Sequence, residues 1–219
     1  MTTFERSDRN RVRRVPERGI YDSSSIYQIV DDALVCHVGF VVDGRPFVIP
    51  TLHARVDDEI LLHGATTSRL IRHVQAGHEV CITFTHVDGI VLARSVFHHS
   101  INYRSAVLFG RGRLVEGDEA TMEALRTFTE RLLPGRWDDA RSPNVKELKA
   151  TSVVAVTIDT ASAKVRNGPP GDEEEDYDLP YWAGVLPLRM AVSEPVADGR
   201  LPESVPVPGY IREYVKERE

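Results

Sequence analysis

Residues 33–64, ALVCHVGFVVDGRPFVIPTLHARVDDEILLHG, decide the fold. They hold three apolar runs, separated by Asp43-Gly44 and by Asp57-Asp58. Asp-Gly between apolar runs is a strong hairpin signal, because both turn positions tolerate positive φ. Immediately upstream, DSSSIYQIVDDA opens with cap residues and sets Ile26, Ile29 and Val30 on one helical face. Downstream, the third run breaks at Gly64 and enters a short helix, SRLIRHVQAG, stopped by Gly77. EVCITFTHVDGIVLARSVFHH then reads as a second hairpin turning at Asp88-Gly89, and SAVLFGRGRLVEG as a further strand. DEATMEALRTFTERLLPG is an amphipathic helix with Met122, Leu125, Phe128 and Leu132 inward, ended by Pro134-Gly135. TSVVAVTIDTASAKVR is the last long strand.

Strands in antiparallel hairpins with helices between them, and no repeated βαβ unit, give an α+β chain that is mainly β. The expected architecture is an antiparallel barrel of six strands with peripheral helices. Three regions are expected: a basic N-terminal arm over 1–20, a barrel domain over 21–190 and a Pro-rich tail over 191–219. The acidic stretch GDEEEDYD reads as a mobile loop, and YWAGVLPL is apolar and must dock. The tail could embrace a second subunit.

The formal net charge is -6, which disfavours nucleic acid. The arm is the exception, with Arg6, Arg9, Arg11, Arg13, Arg14 and Arg18; it is either a solvated, packing arm or a phosphate binder. Cys36 and Cys81 lie in apolar strands and are expected as buried reduced thiols of a cytoplasmic protein. No run is long enough to span a bilayer, and no secretory signal pattern is present.

Three places could carry chemistry. LLHGATTSRL, residues 61–70, takes a strand through Gly64 and three hydroxyls into a helix that opens on Arg69. Such a junction either caps itself through Thr66 or Thr67, or holds an anion through Thr67, Ser68 and Arg69 with help from Arg72. RSVFHHSINYRS, residues 94–105, is either a polar turn or a recognition loop. His98 and His99 are adjacent, point in opposite directions along a strand and make no metal site. Trp182 either fills the core or covers a pocket. No GxSxG is present for nucleophilic catalysis.

Taken together, VPERGIYDSSSIYQIVDDA, CHVGFVVDGRPFVIPTLHA, LLHGATTSRL, VDGIVLARSVFHHSINYRSAVLFG, KVRNGPP and YWAGVLPL resemble the pyridoxamine 5'-phosphate oxidase-like flavoproteins with the FMN-binding split barrel. Within that family the resemblance is to the branch of nitroimidazole-resistance proteins, over roughly residues 10 to 190. It implies a homodimer with FMN at the subunit interface. The FMN phosphate would lie at Ser68 and Arg69 beside Gly64, helped by Thr66 or Thr67. Backbone of Pro50, Thr51 and Leu52 would meet the polar edge of the flavin ring. His63 would sit close to the flavin and act in substrate reduction. Asn102, Tyr103, Arg104 and Ser105 would lie near the flavin or across the interface, and Trp182 near the cofactor, from the same or the other subunit. Two departures matter. Leu70 stands where true pyridoxamine phosphate oxidases follow Ser-Arg with lysine, and Val185-Leu186-Pro187-Leu188 replaces their Arg-Leu-x-Pro. The expected function is therefore an FMN-dependent oxidoreductase reducing a small electrophile such as a nitroaromatic, and not pyridoxamine phosphate oxidation. The alternatives are a non-catalytic flavin or haem binder of the same fold, or a deazaflavin-dependent reductase.

Overall fold

The computed structural model describes residues 2–218. Its elements run β1 (Gly19–Ile20), α1 (Ser23–Asp32), β2 (Val35–Val42), β3 (Arg45–Leu52), β4 (Ala54–Val56), β5 (Glu59–Ala65), α2 (Arg69–Gln75), β6 (Glu79–Leu92), β7 (Ser100–Leu114), α3 (Asp118–Leu132), α4 (Val145–Ala150), β8 (Thr151–Arg166), β9 (Gly184–Pro187) and α5 (Gly209–Lys216). Every strand pairing is antiparallel, in the order β3-β2-β6-β7-β8-β5-β4, with β1 added to β8 and β9 to β6. β3 approaches β5 without pairing to it, so the barrel is split rather than closed. The architecture is the expected α+β split barrel, with nine strands among the described residues rather than six. The added ones are β1, β4 and β9, each four residues or fewer and too short to show period-2 patterning.

The β2–β3 turn falls at Asp43-Gly44, both at positive φ, as a tight hairpin of right-handed twist requires. Gly77, at φ 75°, stops α2. Asp22 caps α1, its carboxylate accepting from the Ser25 amide. Inside the barrel, Val38, Leu62, Ile82, Phe84 and Leu108 pack with Ile26, Ile29 and Val30 of α1 and Leu70, Ile71 and Val74 of α2. A smaller cluster lies on the outer side of β5 and β8, where Ala124 and Phe128 of α3 cover Leu61, Val153 and Ala155. Leu132 does not join it and is 40% exposed, because α3 ends there and its last turn leaves the sheet.

Two sequence expectations need correction. Asp88-Gly89 is not a turn: β6 continues through it to Leu92, with a β-bulge between Val87 and Gly89. Gly89 is needed there because β9 lies against it, with Val185 Cγ1 3.0 Å and Leu186 O 3.2 Å from where a Cβ would stand. The chain reverses later, through the turn at Val96–His98. The acidic loop is also tied down. The Asp172 carboxylate accepts from the amides of Arg94 (2.9 Å) and Ser95 (3.1 Å) and from the Arg94 guanidinium. The tail folds back on its own chain, where the Tyr210 hydroxyl donates to Asp139 and the Val192 amide to the Arg218 carbonyl.

His53 is buried at the end of β3, its Nε2 3.0 Å from both the Val30 carbonyl and the Arg131 guanidinium. Burial first, and the Arg131 charge second, push its pKa down to about 4 from the usual 6.5. The folded protein therefore holds His53 neutral where the unfolded chain protonates it. Stability is complete above pH 6.5 and falls progressively as pH drops towards 4, by about 3 kcal/mol. Urea unfolding across this window is expected to show that decline, and His53→Gln to flatten it.

Candidate functional site

The β5–α2 junction is built as an exposed turn on a fixed base. Gly64 lies inward, with Ile71 Cγ1 3.2 Å from where its Cβ would stand, so α2 packs down only because no side chain intervenes. Thr66 and Thr67 are exposed, and neither caps the helix. Ser68 is the N-cap residue, and its hydroxyl makes no cap bond. The first-turn amides have no helical acceptor, which leaves donors facing outward. The Arg69 guanidinium stacks over Phe47 at 4.3 Å, tying the junction to β3. Arg72 Nε donates to the Thr66 carbonyl at 3.4 Å, bringing a second cation over the same turn in the place of the missing lysine. Together these groups can hold a phosphate.

His63 faces the other way from the core, beneath α3. Its ring meets Phe128 edge-on at 4.5 Å, and its Nδ1 is buried without a partner. Burial lowers its pKa, so near neutral pH it is an uncharged imidazole, suited to accept rather than to donate a proton.

Strand register defines an outward sheet face next to this junction. One row across it is Pro50, His37, Thr83, Val107 and Ser162; the row before it is Val48, Gly39, Cys81, Phe109 and Thr160. Five strands at about 4.8 Å spacing make the face roughly 20 Å wide. Alternation puts Pro50, Leu52, Tyr103 and Ser105 on this face and turns Thr51, Asn102 and Arg104 away from it. Asn102 is buried, donates to the Gly168 carbonyl and accepts from Arg166. Arg104 is spent on Asp88 and Asp32. The face is apolar and open: Val35, Val41, Val48 and Val87 are 43%, 56%, 66% and 47% exposed. Apolar patches of that kind serve as binding surfaces, for a ligand or for a partner.

Trp182 stands apart from the junction. It is 65% exposed, rests on Gly184 and lies beside the far end of β6. Along that strand the two ends are roughly 40 Å apart, so one chain does not bring Trp182 to Ser68 and Arg69.

A second concavity of about 560 Å³ opens where the β2–β3 hairpin meets the end of α2. His73 and His78 line it with their rings 4.8 Å apart, and Phe40 lies 4.9 Å from His73 and 5.5 Å from Phe47. Neither histidine figures among the site residues expected from the sequence. The available signal was their five-residue spacing across the helix stop at Gly77, which turns both to one side. Among the described residues no three metal-ligating side chains converge, and no helix is long and apolar enough to cross a membrane.

The family model described as pyridoxamine 5'-phosphate oxidase matches residues 22–165. A flavocytochrome from Azotobacter vinelandii is 40% identical and superposes with a TM-score of 0.89, covering 94% of this chain and 96% of its own. An FAD and haem binding protein from Mycobacterium smegmatis is 34% identical with a TM-score of 0.85, over 90% of this chain and 96% of its own. A candidate 5-nitroimidazole antibiotic resistance protein from Bacteroides thetaiotaomicron is 26% identical with a TM-score of 0.57, over 67% of this chain and 86% of its own. No curated protein matches the chain.

Proposed function

We propose that this chain, which belongs to the pyridoxamine 5'-phosphate oxidase family, is a homodimeric redox protein holding both a flavin and a haem. The observation that carries this reading is coverage. Similarity to the flavocytochrome and to the FAD and haem binding protein extends over 94% and 90% of the chain, whereas the nitroimidazole-type relative matches only 67%. What this chain adds to the common barrel is therefore shared with proteins whose names carry both cofactors.

The residues fit. The Ser68–Arg69–Arg72 turn offers amides, a hydroxyl and two cations to a flavin phosphate, and the face bearing Pro50 and Leu52 is flat and apolar enough for the ring. FMN, the form expected from the resemblance, is one half of FAD, so this ground serves either; FAD is the form we favour. At the second concavity His73 and His78 would be the residues to hold a haem iron, with Phe40 and Phe47 as the apolar surroundings. When bound, the flavin supplies two-electron and one-electron chemistry and the haem one-electron chemistry. The chain's own part is to hold the phosphate, exclude water at the apolar face and present His63 as a neutral proton acceptor. The open face is covered by a second copy, which brings the two halves of the site together. An oxidoreductase acting on a small electrophilic acceptor in the cytoplasm follows from this reading.

The test is the visible spectrum of the purified protein with identification of what it releases on denaturation. Flavin bands, released FAD and a Soret band are expected. His73→Ala combined with His78→Ala is expected to abolish the Soret band and keep the flavin. Flavin alone in the parent protein removes the haem half of the proposal, and a colourless protein that takes up neither cofactor removes both.

A further inference from the structure

The N-terminal arm and the acidic loop carry opposite charge, and each uses only part of it within the described residues of its own chain. The arm lies along β8. Asn10 is 3% exposed and donates to the Thr160 hydroxyl and the Ala161 carbonyl, and the Arg14 carbonyl accepts from Lys164. Two of its arginines are occupied locally: Arg6 lies over Tyr21, and Arg9 over Phe109 with an ion pair to Glu79. Arg11 and Arg14 are exposed and have no carboxylate partner among the described residues, and Arg13 has only a long contact with Asp8, at 3.7 Å. This basic rim borders the open apolar face on its β8 side. It is not a by-product of composition, since the chain as a whole is acidic.

The acidic loop is the counterpart. Asp172 anchors it to the turn after β6, which fixes its base. Beyond that anchor, Glu174, Glu175 and Asp178 make no ion pair among the described residues. Tyr181 and Trp182, which follow them, are 62% and 65% exposed. Aromatic side chains on a fixed loop, ringed by uncompensated charge, have the composition of an interface core with a polar rim. Both surfaces border the same outward sheet face, at its side and beyond its end.

We propose that two copies of this chain exchange these surfaces: the acidic, aromatic loop of each seats on the basic arm of the other. A two-fold axis makes the exchange reciprocal, so one contact implies the second. The seating carries Trp182 across to the other copy, which is how a residue beside the far end of β6 enters a site. The inference rests on the homodimer reading above.

Reciprocity gives the test. Arg11→Glu, Arg13→Glu and Arg14→Glu are combined in one full-length variant, and Glu174→Arg, Glu175→Arg and Asp178→Arg in another. Self-association is measured by sedimentation at low salt, and the equimolar mixture by native mass spectrometry. Each variant alone sets like charge against like charge twice, and its self-association is expected to weaken about tenfold or more. In the mixture both contacts are attractive, so a heterodimer of near parental affinity is expected. High salt should erase the differences. If each variant dimerises like the parent, or if the mixture shows no preference for the heterodimer, the exchange is wrong although the dimer stands. If the parent protein is monomeric at all concentrations, the dimer reading fails and the exchange with it. Circular dichroism of both variants separates misfolding from lost association, and a second pair with single reversals, Arg14→Glu and Glu175→Arg, keeps the test open if a triple variant misfolds.

Discussion

Gly110→Ala is expected to abolish folding of the full-length chain. Gly110 sits at the register shift between Phe109 and Gly110, where β7 presses on β8. A methyl group there would overlap the carbonyl oxygen of Thr157 and reach within 3.1 Å of Val156 Cγ1. The obstacle is backbone, inside the twelve-residue β7–β8 pairing, and no rotamer relieves it. The β7–β8 ladder must part or shift, and the cost is expected to exceed about 4 kcal/mol, beyond ordinary overpacking. The check is soluble yield and urea midpoint against Gly199→Ala. Position 199 has open space around it and no positive φ, so that control should be neutral or slightly stabilising.

Arg131→Met is the second large effect. Arg131 reaches from α3 to the C-terminal end of α1. Its guanidinium donates to the carbonyls of Val30 (3.1 Å), Asp31 (2.9 Å) and Ala33 (2.6 Å), and its Nε to that of His53 (3.0 Å). A cation there also meets the negative end of the helix dipole. Methionine restores the apolar stem; the Val30 carbonyl keeps the Ala33 amide and His53, while those of Asp31, Ala33 and His53 lose this donor at about 1 kcal/mol each. The expected loss is about 3–4 kcal/mol, read as a fall in melting temperature of roughly 10 °C for a chain of this size. Arg131→Lys should recover less than half, since one ammonium has three donors without the planar fork. Removing the Arg131 charge should also raise the pKa of His53, so the acid-induced loss described above would shrink in Arg131→Met.

The elements with strong local signals were legible in the sequence. The Asp43-Gly44 hairpin, the capped α1 and the Gly77 stop follow from residues that act within a few positions of themselves. The junction at Gly64–Arg69 was legible for the same reason, since a strand end, a glycine and a helix start adjoin in sequence. The failures were non-local. Asp88-Gly89 carries the same two letters as Asp43-Gly44, but it lies inside a strand because β9, about 100 residues later, pairs across it. Asn102 and Arg104 have the polarity of site residues, and only tertiary structure shows them occupied by Gly168, Arg166, Asp88 and Asp32. His73 and His78 look like surface residues until Phe40 and Phe47 arrive from another hairpin to face them.

The bulge in β6 has a consequence for how the molecule can vary. Before it, the side chains facing the core are the even-numbered Val80, Ile82 and Phe84; after it, the buried positions are the odd-numbered Gly89 and Val91. β7, opposite, keeps one parity throughout, with Asn102, Ala106 and Leu108 all buried. One extra residue thus acts as a half-period phase shift within β6 alone: its odd-numbered residues after the bulge continue the face of its even-numbered residues before it, in step with β7. Removing the extra residue would leave Val87 and Gly89 adjacent, opposite Tyr103 and Asn102, as a regular ladder with the same faces. The bulge is therefore the place where β6 absorbs one residue of length, while a single-residue change inside its regular ladder is a change of sidedness.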